Sequence, residues 1–143
     1  MRKTGEDDGC FLCEPNEEHV LFRAAHVFVI LNLFPYNTGH LMVAPHRHVG
    51  ELGELTTAER HDLFDTMAAG IEVVRTEMEP HGFNTGMNLG RVAGAGVPGH
   101  LHVHVVPRWE GDTNFMPVTG DTKVLPESLE QTAAKLRPHF DRL

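Results

Sequence analysis

At 143 residues the chain has the size of one domain with a single core, and with 41% hydrophobic and 22% charged residues it reads as neither disordered nor fibrous. Twelve Lys and Arg against 20 Asp and Glu give a formal charge of -8, which speaks against sequence-independent binding to nucleic-acid backbones or anionic membranes. No apolar run approaches the roughly 18–20 residues that span a bilayer, and no apolar leader follows the basic residues at the start, so a cytoplasmic protein of one domain, residues 1–143, is expected.

The only two cysteines, Cys10 and Cys13, are too few for a secreted disulfide framework but make half of a metal-site pattern. Residues 27–31 and 41–44 are short aliphatic runs, and Pro35, Asn37 and Gly39 between them are turn residues, so a hairpin is expected. Thr56 with Glu59 makes a capping box. Leu63, Phe64, Met67, Ile71, Val74 and Met78 then recur at helical spacing, until Pro80 and Gly82 stop the pattern. Residues 83–89 and 100–107 are strand-like and are joined by the Gly-rich residues 90–99. Residues 126–140 predict a second helix, with Pro126 at its start and Leu129, Ala133 and Leu136 as its apolar face. Hairpins and separate helices without βα alternation indicate an α+β fold.

Eleven histidines are the anomaly of the composition. Three stand in the segment His100-Leu101-His102-Val103-His104-Val105-Val106. Alternation along a strand puts the three imidazoles on one face, spaced by about 6.5 Å, while Leu101, Val103 and Val105 take the other. Such a row is open to three readings: a solvated polar face, a plain metal site, or a row of groups with separate tasks around one ligand. The third is preferred, because motifs elsewhere in the chain support it.

The triplet resembles the signature of the histidine triad (HIT) superfamily of nucleotide hydrolases and transferases. So does the ordered set around it. Asn32 stands eight residues before His40, residues 41–45 follow as Leu-Met-Val-Ala-Pro, and Asn88 precedes the Gly-rich loop into the histidine strand. The resemblance runs from about Cys10 through Trp109. The continuation from Val106 to Pro117 is most similar to the bacterial branch of diadenosine tetraphosphate phosphorylases and hydrolases.

The resemblance implies a nucleophile at His102, which would attack the α-phosphorus of a nucleotide and form a nucleotidyl-imidazole; neutral imidazole suits that task near pH 7. The carbonyl of His100 would hold the tautomer of His102, and His104 and His40 would stand close by. Asn88 and the backbone of Gly94, Ala95, Gly96 and Val97 would cradle phosphate. Pro98 has no amide to offer, and no hydroxyl residue stands at 97 or 98. Asn32 would bind the ribose. Phe11, Leu12, Ile30 and Leu31 would form the base pocket, although a protein core asks for the same side chains. Trp109 would stack on a second base, cap the site, or serve packing or a dimer contact. Arg108, Asn114 or the Gly-rich loop would supply an anion pocket for an incoming phosphate.

Cys10 and Cys13 lack the βαβ context of a thioredoxin-like redox pair, which favours zinc. Similarity to zinc-containing relatives implies His48 and His100 as the other two ligands, with His46 as the alternative to His48. The implied function is cleavage of dinucleoside polyphosphates, with phosphate or water as second acceptor. The alternatives are a nucleoside phosphoramidate hydrolase and a nucleotide- or zinc-binding module without turnover. The family further implies a sheet of about five antiparallel strands, paired in a homodimer into ten. The acidic charge predicts a divalent cation travelling with the substrate.

Overall fold

The computed structural model describes residues 10–93, 99–112 and 127–143 of the chain. Residues 94–98, 114 and 126, which enter the expectations above, lie outside them. The expected hairpin is present as β2 (Val27–Leu31) and β3 (Leu41–Pro45), paired from Val27 with Pro45 to Leu31 with Leu41. A strand not foreseen, β1 (Val20–Arg23), adds to the outer side of β2 with an irregular register, which is why Val-Leu-Phe-Arg shows no clean alternation. β4 (Gly82–Gly86) and β5 (Val103–Arg108) complete an antiparallel sheet of order β1-β2-β3-β5-β4.

Two strand limits differ from expectation by more than one residue. β4 ends at Gly86 rather than at residue 89. β5 begins at Val103, so His100, Leu101 and His102 precede the ladder, with His100 at a bend. The ladder between β3 and β5 reaches Val43 with Val103 and stops. Beyond it Pro45 has no N–H to offer, and the N–H of Leu101 goes instead to the carbonyl of Val49 at 2.7 Å.

Helix α1 (Thr57–Met78) starts at the expected capping box: Thr56 Oγ1 accepts from the Glu59 N–H and Glu59 accepts from the Thr56 N–H. It ends at Glu79 in the left-handed conformation, ahead of Pro80. Phe64, expected on its apolar face, is 68% exposed, because the helix turns Leu63, Thr66, Gly70, Val73 and Val74 inward instead. Helix α2 (Leu129–Asp141) starts three residues later than predicted. A second capping box, Ser128 with Gln131, sets that start.

Both helices cover one face of the sheet. Val27, Val29, Leu31, Leu41, Val43, Leu101, Val103 and Val105 pack there against Leu63, Val73, Val74, Ala133, Leu136 and Phe140. The opposite parity of the same strands builds a smaller cluster of Cys10, Leu12, Val20, Phe28, Ile30, Met42 and Ala44. Strand alternation thus sorts the sheet into a helix-covered face and a second face left for the polar residues. Among the described residues no helix is long and apolar enough to cross a membrane.

Candidate active site and metal centre

His104 on β5 stands directly opposite Met42 on β3, so it shares the face of Met42 and Ile30, away from the helices. His102, two residues earlier, keeps that parity, and Leu101, Val103 and Val105 fill the helix-side core as expected. His102 is nearly buried and His100 wholly so. Of the expected row of three, His102 and His104 stand ring to ring at 5.1 Å, while His100, at a bend ahead of the strand, has different partners.

His102 Nδ1 lies 2.9 Å from the carbonyl oxygen of His100. A carbonyl only accepts, so the Nδ1 proton is donated there and the lone pair of the neutral ring is on Nε2. His40 is fixed from the other side. The main-chain N–H of Tyr36 donates to His40 Nδ1 at 3.1 Å, and a neutral imidazole then carries its single proton on Nε2, from which it donates to His104 Nδ1 at 2.9 Å. That leaves the proton of His104 on its own Nε2. Burial, ahead of the neighbouring His104 and His102, pushes His40 down to about 3, and burial together with His102 lowers His104. Both rings are neutral at pH 7. The ring of Tyr36 leans on His40 at 4.9 Å and stacks over His104 at 6.5 Å.

Asn32 follows directly on β2. Its Oδ1 accepts from the Phe34 N–H at 2.8 Å, and its amide nitrogen lies 3.3 Å from His40 Nε2, where both atoms carry hydrogen, so this is an approach rather than a bond. Leu12 and Ile30 are on the histidine face, and Phe11 beside Leu12 is 40% exposed. Leu31 is not: it points into the helix-side core, because one step along a strand changes the face. Asn88 is exposed beyond the end of β4. Trp109 is half-buried in the turn after β5, its main-chain N–H donated to Asp112 Oδ2 at 3.0 Å. Arg108, expected for an anion pocket, is instead engaged by Asp112 at 2.9 Å and by Asn84.

At the other end of the segment, one donor atom each from Cys10, Cys13, His48 and His100 gathers so that all four lie within 4.8 Å of one another. His100 Nδ1 is 3.4 Å from Cys10 Sγ and 3.5 Å from Cys13 Sγ, and His48 Nδ1 is 3.1 Å from Cys13 Sγ. A tetrahedral ion at ordinary zinc distances separates sulfur and nitrogen ligands by about 3.5 Å. The donor set fits such an ion. His100 Nε2–H is donated to the Pro45 carbonyl at 2.8 Å, which fixes the ring with its Nδ1 lone pair toward the thiols, the outer-shell contact that metal-bound imidazoles make. His46 turns away, stacking on Phe28 and donating from Nε2 to the Ala24 carbonyl, so the alternative ligand is set aside. Gly99 is required for His48: a Cβ there would stand 2.9 Å from His48 Nε2. The cluster can hold a metal ion.

Residues that matter here and were not singled out include Tyr36, Gly99 and Asp112. Gly39, which carries the chain into His40 at φ 88°, was seen only as a turn residue.

Comparison with known proteins agrees with this geometry. The chain is 47% identical over 123 residues to an "AP-4-A phosphorylase" of Mycobacterium tuberculosis, a match covering 86% of this chain and 63% of the relative, so it spans about three-fifths of that protein's length. It is 35% identical over 98 residues to the "Bis(5'-nucleosyl)-tetraphosphatase [asymmetrical]" of Schizosaccharomyces pombe, covering 68% of this chain and 53% of the relative. In fold it is similar to a crystal structure of a Zn-bound histidine triad family protein from Mycobacterium smegmatis, with a TM-score of 0.76 and 22% identity over 95% of this chain and 96% of the other. Residues 14–111, from just after the cysteine pair to just past the histidine segment, match the HIT domain, and with the fold and the ordered imidazoles on that span the chain belongs to the HIT-domain family.

Proposed function

We propose that the protein transfers a nucleotidyl group out of a dinucleoside polyphosphate, with His102 as nucleophile. The observation that carries the reading is the bond from His102 Nδ1–H to the His100 carbonyl, which leaves the lone pair of the neutral ring on Nε2. In the first step Nε2 attacks the α-phosphorus, a P–N bond forms, and the P–O bond to the remaining nucleoside polyphosphate breaks. In the second, phosphate or water attacks the same phosphorus and the P–N bond breaks, restoring the imidazole. His104, neutral with its proton on Nε2, donates to a phosphoryl oxygen, and His40 holds that tautomer from behind.

Asn32 is assigned to the ribose and Phe11, Leu12 and Ile30 to the base. Asn88 and the backbone of residues 94–97 are assigned to phosphate, and Trp109 to the outer side of the site. The cation of Cys10, Cys13, His48 and His100 is assigned as structural Zn2+, whose role is to tie the N-terminal arm to the histidine segment; a Zn-bound protein of the same fold supports the choice of ion. A second divalent cation is expected with the polyphosphate. A homodimer is also proposed: β4 is an edge strand with Asn84, Thr85 and Gly86 exposed, and a second copy would cover it.

The test is incubation with diadenosine tetraphosphate and Mg2+, with and without inorganic phosphate, followed by chromatography. ADP plus ATP formed only with phosphate identifies phosphorolysis; AMP plus ATP in either condition identifies hydrolysis. No product in either condition overturns the reading.

A further inference from the structure

Asp112 lies outside the histidine cluster, yet its carboxylate joins two separate pieces of chain, the loop between β2 and β3 and the end of β5. Oδ2 accepts from Asn37 Nδ2 at 2.7 Å and from the Trp109 N–H at 3.0 Å, while Oδ1 accepts from Arg108 Nη2 at 2.9 Å. Asn37 gives its amide nitrogen to the Pro107 carbonyl as well, at 2.9 Å, so its side chain is clamped between the end of β5 and the turn that follows. Asn37 belongs to the loop between β2 and β3. Its own carbonyl accepts the His40 N–H at 3.1 Å, and its neighbour Tyr36 supplies the N–H that meets His40 Nδ1.

These contacts form one chain of consequence. The two tautomers of a free neutral imidazole are close in energy, so the proton of His40 goes where its neighbours direct it. Tyr36 N–H at Nδ1 excludes a proton there, which puts it on Nε2, and the bond to His104 Nδ1 then puts the His104 proton on Nε2. If the loop relaxes by even part of an ångström the order can reverse, and His104 then faces the substrate with a lone pair instead of a donor. We infer that Asp112 is a positioning residue for the transfer reaction: through Asn37 it holds the loop so that Tyr36 dictates the proton order along His40 and His104. The inference rests on the reading of His102 as nucleophile for its kinetic consequence, but not for the proton order itself.

The experiment is side-chain 15N NMR of histidine-labelled protein without substrate, for the wild type, Asn37→Ala and Asp112→Ala, with steady-state kinetics on diadenosine tetraphosphate in parallel. Wild-type His40 and His104 should each show a protonated Nε2 and a bare Nδ1. In both variants a second tautomer of His40 should appear, with kcat down about tenfold and KM changed less than about twofold, since orientation rather than binding is lost. The double variant should be no slower than Asp112→Ala alone, because both residues act through one contact. Unchanged tautomers in folded variants, or altered tautomers with unchanged kcat, overturn the inference. If Asp112→Ala does not fold, Asn37→Ala decides alone, since it removes only the clamped amide. Absence of turnover in the wild type overturns the proposed function, and the tautomer spectra still decide whether Asp112 sets the proton order.

Discussion

His100 and His102 are two residues apart in the segment that leads into β5, yet their rings have different partners. His100 is held by sulfur: its Nε2–H is spent on the Pro45 carbonyl and its Nδ1 faces Cys10 and Cys13. His102 is held by the backbone of His100 itself, which takes its Nδ1 proton and frees Nε2. What separates the two is where each ring sends its proton, and a single residue connects them, since the side chain of His100 faces the cysteines while its carbonyl accepts from His102. On the proposed reading, an ion held at one end would also support the chemistry at the other.

The largest effect should come from breaking the chemical end. His102→Ala should lower turnover of diadenosine tetraphosphate by about 10³-fold or more, while a nonhydrolysable analogue still binds by calorimetry. Turnover close to wild type in that variant would exclude a covalent step at this residue. Breaking the metal end should act differently. Chelation of the zinc-loaded protein should lower Tm by about 10 °C or more, with activity falling along with structure rather than ahead of it. Activity lost at once with Tm unchanged would place the ion in the reaction instead.

A smaller effect distinguishes the neutral imidazoles. His40 is held at about 3 against an ordinary value of 6.5, chiefly by burial, and His104 is also lowered. Below pH 6.5 the unfolded chain therefore takes up protons that the folded chain refuses, so their contribution is intact above about 6.5 and is lost as pH falls toward 3. Glu59, lowered to about 2 by its bond to Arg47, adds a further loss below about 4.5. Urea unfolding at pH 7.5, 6 and 5 should show stability falling over that range, with a shallower fall in His40→Asn. Equal slopes would mean that His40 is not the group refusing the proton.

The fold was legible where periodicity and end signals agreed. The β2–β3 hairpin and α1 follow from aliphatic runs, turn residues and the capping box at Thr56. The start of α2 was written in Ser128 and Gln131 and was overlooked in favour of Pro126. β1 was not legible, because a bulge against β2 spoils the alternation of a four-residue strand. Phe64 fits an apolar helical stripe and still points outward, since the width of the buried face is set by what packs on it. Within the site, the residue types of the Cys10, Cys13, His48 and His100 cluster and of the histidine group were legible, helped by the resemblance of the ordered motifs, and the structure brings the cluster together. Leu31 was misplaced by one step of the pleat.

The amino-acid sequence by itself determined which residues share a face, which residue types could bind metal or attack phosphorus, and where the main turns fall, because these follow from strand and helix periods and from side-chain chemistry. Only the tertiary structure decided the proton on each imidazole and the task of Asp112. A neutral ring places its proton by the donors and acceptors around it, which the fold supplies: the Tyr36 N–H for His40 and the Pro45 carbonyl for His100; Asp112 likewise meets Asn37 only once the chain has folded.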